Sequence, residues 1–235
     1  MHNIKTQVKA IIFDMDGTII QTEHVWRKIS VQVLMEQCKI TQLEEHHEEF
    51  LSSLSGIGLE VSCTKMKKTF NLTTPLEDIM KRKMELSETL FDHTIEFING
   101  FEIFHKKLQA HNIPTSIATN ANAAGLQKHA QAMNFSQFFG ENMYCVSDVN
   151  FKAKPNPAVF LHAAEKLGAK PEECIVFEDS FYGFQAANAA GMKCVGIKNN
   201  MNQQHLGLVN HSIDDYHQAE DALRKLFFDK ISYKS

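Results

Sequence analysis

Apolar residues in this chain follow two rhythms. Short runs of apolar or small residues at 10–13, 116–119, 143–146, 174–177 and 194–197 are each bounded by polar or turn residues. Runs of that length with such ends predict strands buried on both faces, as in a parallel sheet. Between them, apolar residues recur at helical spacing. Over 101–111, Ile103, Phe104 and Leu108 are expected to share one face. Over 157–167, Pro157 suits the first helical position and Gly168 the C-terminal stop, and Phe160, Ala163, Ala164 and Leu167 form the stripe to be buried. Over 182–190, Gly191 again supplies the stop, and the alanines allow close packing on a sheet. Strands alternating with helices predict an α/β fold with a doubly wound, Rossmann-like parallel sheet.

Residues 21–95 break that rhythm and read as helix after helix. Val25, Ile29, Val33 and Leu34 mark the first, over 25–37. A charged stretch at 44–54 ends in Phe50, Leu51 and Leu54, and helical patterns at 60–70 and 76–91 follow, the latter with Ile79, Met80, Met84 and Leu90. The expected organisation is an α/β core of residues 1–20 and 96–235, split after its first strand by an all-α insert of residues 21–95. The loop after that strand would then lie at the hinge of a lid. Neither an internal repeat nor a low-complexity segment is present.

Composition narrows the class. The 235 residues carry a net charge of -4, which argues against general nucleic-acid binding. No stretch approaches the length of a membrane span. Met1-His2-Asn3-Ile4-Lys5 leads into the first strand without a signal-peptide core. Cys38, Cys63, Cys145, Cys174 and Cys194 are scattered and odd in number. Three lie in strand-like runs, so buried free thiols and a reducing, cytoplasmic setting are expected. The twelve histidines form no His-Glu-x-x-His spacing. His46-His47 fall in an acidic helix expected to be exposed, and no metal role is assigned to them.

The chemistry is concentrated in four segments. Phe13-Asp14-Met15-Asp16-Gly17-Thr18 puts two carboxylates two residues apart where the first strand stops in a loop, so both can project into one cleft. Such a pair suits a hard cation, or a nucleophile with an acid/base. A calcium loop is disfavoured because Ile19 and Ile20 fill the positions where oxygen ligands are needed. Ser116-Ile117-Ala118-Thr119-Asn120-Ala121-Asn122 ends a strand in small polar groups able to hold a phosphate oxygen; a helix N-cap by Asn120 or Asn122 is the plainer reading. Lys152-Ala153-Lys154-Pro155-Asn156-Pro157 places a stiffened lysine ahead of a helix, as a counter-charge or as a solvated turn residue. Cys174-Ile175-Val176-Phe177-Glu178-Asp179-Ser180 ends another strand in adjacent acids, with an N-cap by Asp179 or Ser180 as the plainer reading. All four clusters fall at the C-terminal ends of predicted parallel strands, the edge where open α/β sheets bind ligands.

At this point the chain resembles the haloacid dehalogenase-like hydrolase superfamily. The resemblance rests on Asp14-Met15-Asp16-Gly17-Thr18, Thr119-Asn120, Lys154-Pro155, Glu178-Asp179-Ser180 with Gly183, and Ala189-Ala190-Gly191-Met192, in order and over nearly the whole chain. The insert is similar to the helical cap of beta-phosphoglucomutase-like and phosphoglycolate phosphatase-like members. The resemblance implies that Asp14 is the nucleophile that forms an aspartyl-phosphate. By the same resemblance, Asp16 would protonate the leaving oxygen as that intermediate forms and then take a proton from the water that hydrolyses it. It implies a Mg²⁺ ion held by Asp14, the main-chain carbonyl of Asp16 and Asp179, with Glu178 in its outer shell or ligating directly. Thr119, the Asn120 backbone and Lys154 would hold phosphate oxygens.

Within the superfamily, Asp16 favours phosphate-ester chemistry over dehalogenation and phosphonate cleavage. The loop Leu54-Ser55-Gly56-Ile57-Gly58-Leu59 has Ser55 and Leu59 where mutase members carry Lys and Arg. A neutral loop holds a second phosphate poorly, so a phosphatase is expected over a phosphomutase or a silent metabolite-binding protein. Lys65, Lys67 and Lys68 are expected to be a solvated face, and Trp26 to pack in the cap core, with His24 and Trp26 as candidates to face a substrate. Gln21 stands where relatives often have Asp, and Ile98-Asn99-Gly100 lacks the usual Pro before Gly. The expected partner is a small phosphorylated metabolite, a sugar phosphate among the candidates, with no nucleic acid or membrane, and the protein a monomer or weak homo-oligomer.

Overall fold

The structure, a computed structural model, describes residues 8–54, 57–90 and 95–228. Two compact units make up the chain: Gln21–Glu96, and Met1–Ile20 together with Phe97–Ser235. Among the described residues of the Gln21–Glu96 unit, the helices are α1 Glu23–Cys38, α2 Glu45–Ser52, α3 Leu59–Thr69 and α4 Leu76–Leu90. Val25, Ile29 and Val33, four apart, lie buried along α1 beside Leu34. They close a core with Phe50 and Leu51 of α2, Cys63 and Met66 of α3, and Ile79 and Leu86 of α4. Trp26 packs against that core, as its size predicts.

Two polar residues of this unit are more buried than their sequence suggests. His47 is buried rather than exposed: Nδ1 accepts the Glu44 N–H at 3.1 Å, and its ring stacks on Phe70 with centroids 5.4 Å apart. The N-terminus of α2 leaves donors without helical partners, and His47 serves one of them. Lys83 lies on the inner face of α4 at 2% exposure, with Nζ 3.1 Å from both Ser30 Oγ and Ser62 Oγ. Lys65 donates to Ser53, and Lys67 to the carbonyls of Leu72 and Thr74, so both lysines tie the ends of helices. Ser55 and Gly56 of the loop compared with the mutase lie outside the described residues.

The other unit is built on β1 Ala10–Phe13, β2 Thr115–Ala118, β3 Met143–Tyr144, β4 Cys174–Glu178, β5 Lys193–Ile197 and β6 His211–Ile213. All pair in parallel, in the order β3-β2-β1-β4-β5-β6. The described helices here are α5 Phe101–Ala110, α6 Ala123–Ala132, α7 Ser136–Phe139, α8 Ala158–Lys166, α9 Phe181–Ala189 and α10 Ala219–Phe228. Alternation along the strands sorts the sheet's two faces. Ala10, Ile12, Val176 and Cys194 pack with Val159, Phe160 and Ala163 of α8 and Phe184, Ala186 and Ala187 of α9. Phe13 turns the other way into a cluster of rings, with centroids 5.2 Å from Phe177, 5.7 Å from Phe101 and 6.1 Å from Tyr216. The buried face of α5 is Phe101, Phe104, His105 and Leu108, whereas Ile103 is 58% exposed. At 100° per residue Ile103 falls outside the arc those four define, which corrects the expected stripe.

This strand order fixes where a ligand site can form. From β1 the chain moves outward to β2 and β3, then returns to the other side of β1 for β4. The order therefore reverses between β1 and β4, and the C-terminal edge at such a reversal is where open α/β sheets bind ligands. Phe13 is in register with Phe177, and Asp14 N–H donates to the Phe177 carbonyl at 2.9 Å. Asp14 and the Glu178-Asp179 pair are thereby delivered to one point.

Candidate active site

Asp14 is the first residue beyond β1, and the turn after it is tightly closed. The N–H groups of Thr18, Ile19 and Ile20 converge on the Met15 carbonyl at 3.3, 2.9 and 3.2 Å, and Gly17 N–H donates to the Ile20 carbonyl. Gly17 has φ +77°, and a Cβ there would sit 2.2 Å from Asp179 Oδ2. Only glycine lets the turn lie against that carboxylate. Gly183 does the same for Glu178, whose Cδ would be 1.9 Å from an added Cβ.

Asp14, Glu178 and Asp179, all buried, bring carboxylate oxygens within 4.8 Å of one another. Lys154 enters from the loop before α8, with Nζ 2.5 Å from Asp14 Oδ1 and 2.8 Å from Glu178 Oε2, over the Phe160 ring at 4.5 Å. Glu178 Oε1 accepts the N–H groups of Asp179 and Ser180 and the Ser180 hydroxyl, so this carboxylate is held on both oxygens. Burial, then the Glu178 charge, oppose ionisation of Asp14 more than Lys154 favours it, and its pKa rises from the usual carboxylate range to about 7. Burial also works against the charge of Lys154, but Asp14 and Glu178 outweigh it and hold the ammonium above the ordinary lysine range.

The remaining sequence-predicted residues line the same edge. Asp16 is half-buried in the turn, close enough for its charge to oppose that of Asp14. Thr119, 2% exposed, follows β2 and accepts the Ala121 N–H on Oγ1 at 3.1 Å. Asn120 Oδ1 accepts the Lys154 N–H at 2.8 Å, tying the loop after β2 to the lysine loop. The plainer cap readings hold alongside: Asn122 Oδ1 caps α6 through Gly125 N–H, and Ser180 Oγ caps α9 through Gly183 N–H. Thr18 Oγ1 donates to Asp179 Oδ1 at 3.3 Å, and Asn199 and Asn202, neither singled out from the sequence, also bond Asp179.

The donor set suits a hard divalent cation. Three buried carboxylates face one ammonium, leaving negative charge that an ion with oxygen ligands would offset. A second grouping, Glu44, His46 and His47, also brings potential ligand atoms within 4.8 Å. There His47 Nδ1 accepts a main-chain N–H, so its proton sits on Nε2 and the ring is committed to the helix cap.

A family described as haloacid dehalogenase-like hydrolase matches residues 11–197. The chain belongs to that family. It is a hydrolase, as its four motifs imply, and the doubly wound α/β core expected from its pattern is the family's fold. A protein of Drosophila melanogaster named a probable pseudouridine-5'-phosphatase is 29% identical over 83% of this chain and 84% of its own. The 6-phosphogluconate phosphatase of Escherichia coli (strain K12) is 25% identical over 80% of this chain and 81% of its own. Among solved structures, a HAD hydrolase of family IA, variant 3, from Entamoeba histolytica HM-1:IMSS superimposes with a TM-score of 0.77 at 26% identity, covering 90% of this chain and 95% of that one. Among haloacid dehalogenase-like hydrolases, the named relatives of this chain thus include phosphatases. No described helix is long and apolar enough to cross a membrane.

Proposed function

We propose that this protein is a divalent-cation-dependent phosphatase of small phosphorylated metabolites, with Asp14 as nucleophile. The observation that carries the reading is the meeting of Asp14, Glu178 and Asp179 at the sheet's reversal point, with Lys154 bridging two of them. A buried ion-pair network with surplus negative charge is costly as a structural device, and perturbed carboxylates in a crevice mark chemistry more often than stability. Asp14, Asp179 and the carbonyl of Asp16 would hold Mg²⁺. Bound there, the cation would supply the charge that lets a phosphate dianion approach a carboxylate.

The chain's own groups divide the work. Asp14 attacks phosphorus in line, and the leaving oxygen departs with a proton from Asp16, which sits on the same turn two residues on. Asp16 then takes a proton from the water that cleaves the aspartyl-phosphate. Lys154 holds a phosphate oxygen while keeping its ion pairs with Asp14 and Glu178. Thr119 and the Asn120 main chain supply further donors at the adjacent strand end. The substrate class we infer is a phosphorylated sugar or sugar-like metabolite, in keeping with the names of the two relatives.

The test is phosphate release across a panel of phosphorylated sugars and nucleoside monophosphates, with and without Mg²⁺. Asp14→Asn, close to isosteric, is expected to abolish release while leaving the circular-dichroism spectrum unchanged. Release by Asp14→Asn at the wild-type rate would overturn the nucleophile assignment. Isomerisation of a sugar monophosphate faster than phosphate release would identify a mutase instead.

A further inference from the structure

The loop after β5 carries a feature that the four motifs do not contain. Asn199 Oδ1 accepts the main-chain N–H groups of Met201 and Asn202, each at 2.9 Å. An amide oxygen committed to two N–H donors settles which way the group faces, so the amide nitrogen is the end turned to Asp179. Nδ2 lies 3.0 Å from Asp179 Oδ2 and 3.4 Å from its main-chain carbonyl. Asn202, 2% exposed, repeats the device: Oδ1 accepts the Asn199 N–H at 3.1 Å, and Nδ2 donates to the carbonyls of Asp179 at 2.6 Å and Ile197 at 2.7 Å. Two interlocked amides thus grip one aspartate, the first by its carboxylate and both by its backbone.

The chemistry of that grip matters for what Asp179 can do. A lysine or arginine in the place of Asn199 would hold the carboxylate but compete with a cation for its charge. A neutral amide restricts the rotation of the carboxylate and leaves the charge intact, which is how outer hydrogen bonds tune metal ligands. Thr18 donates to the other oxygen, Oδ1, and the close approach of Gly17 leaves the same carboxylate little room to move.

We propose that Asn199 is a positioning residue that orients the Asp179 carboxylate for a divalent cation, with Asn202 locking the loop that carries it. The proposal rests on the metal-site reading above. Titration calorimetry of Mn²⁺ and Mg²⁺ into the full chain tests it, comparing the wild type with Asn199→Ala, Asn199→Ser and Asp179→Asn. The serine hydroxyl can still accept a turn N–H but falls short of Asp179. Both Asn199 variants are expected to raise Kd about tenfold. Metal-free melting of Asn199→Ser should match the wild type. In turnover, the Mg²⁺ requirement should rise and be overcome by added Mg²⁺, with the substrate KM unmoved at saturating metal.

Wild-type Kd in both Asn199 variants, alongside weakened binding in Asp179→Asn, overturns the positioning role and leaves the metal site standing. Wild-type Kd in Asp179→Asn overturns the metal-site reading and this proposal with it. If Asn199→Ala fails to fold, Asn199→Ser decides. A fall in metal-free melting of Asn199→Ser that accounts for its whole loss of affinity assigns Asn199 to loop stability and refutes the proposal.

Discussion

His105 shows how a single buried ring can set the acid limit of a fold. It has no exposed surface, its Nε2 meets Thr115 Oγ1 at 2.9 Å, and its Nδ1 has no hydrogen-bond partner among the described residues. It packs edge-on to Phe138 and Phe139, with centroids 5.1 and 4.8 Å away. Burial drives its pKa down from 6.5 to about 4. The folded state therefore refuses a proton that the unfolded chain accepts below pH 6.5. The stability is fully present above pH 6.5 and drains away as the pH falls toward 4. The slope from one such group is about 1.4 kcal/mol per pH unit within that window. Urea unfolding of His105→Gln between pH 4 and 7 should show a slope shallower by about that amount. An unchanged slope would place the acid sensitivity elsewhere.

At the scale of the element, α4 carries its own test in Lys83. Burial pulls this lysine's pKa below the usual range, so the folded state holds the charged form at a cost. Its hydrogen-bond partners are two hydroxyls, which return less than a carboxylate would. Lys83→Met keeps the stem and removes the charge. It is expected to raise the stability of the protein by about 1 kcal/mol in chemical denaturation. A loss of that size would mean the two serine contacts outweigh desolvation. Lys83 was not legible in the sequence because lysine among charged neighbours at helical spacing reads as a solvent face. The strands β1, β4 and β5 were legible, since burial on both faces demands unbroken apolar runs. The edge strand β6, His211-Ser212-Ile213, and the helices α6 and α10 were not read from the pattern. One face of a three-residue edge strand meets water, so little of its composition is constrained.

For the whole molecule, the candidate site was more legible than the machinery around it. Asp14, Asp16, Thr119, Asn120, Glu178 and Asp179 each end or closely follow a strand, and strand ends stand out in a parallel sheet, whereas Lys154 lies in the loop before α8 and was read from its place beside Pro155. Asn199 and Asn202 lie in a run, Asn199-Asn200-Met201-Asn202, that reads as an ordinary turn; only the fold shows it wrapped on Asp179. The division into two units has an observable consequence. Each has its own buried core, so each is expected to unfold as a cooperative unit. The chain has one tryptophan, Trp26, and it packs on the core of the Gln21–Glu96 unit. Tryptophan fluorescence therefore follows that unit, while calorimetry follows both. A cation held by Asp14 and Asp179, as proposed, would stabilise the α/β unit by about 2.7 kcal/mol at a hundred times its Kd. Adding Mg²⁺ should move one calorimetric transition upward by several degrees and leave the Trp26 melting curve behind. Equal shifts in both signals would show that the two units unfold as one. A shift in neither would remove the metal from the α/β unit altogether.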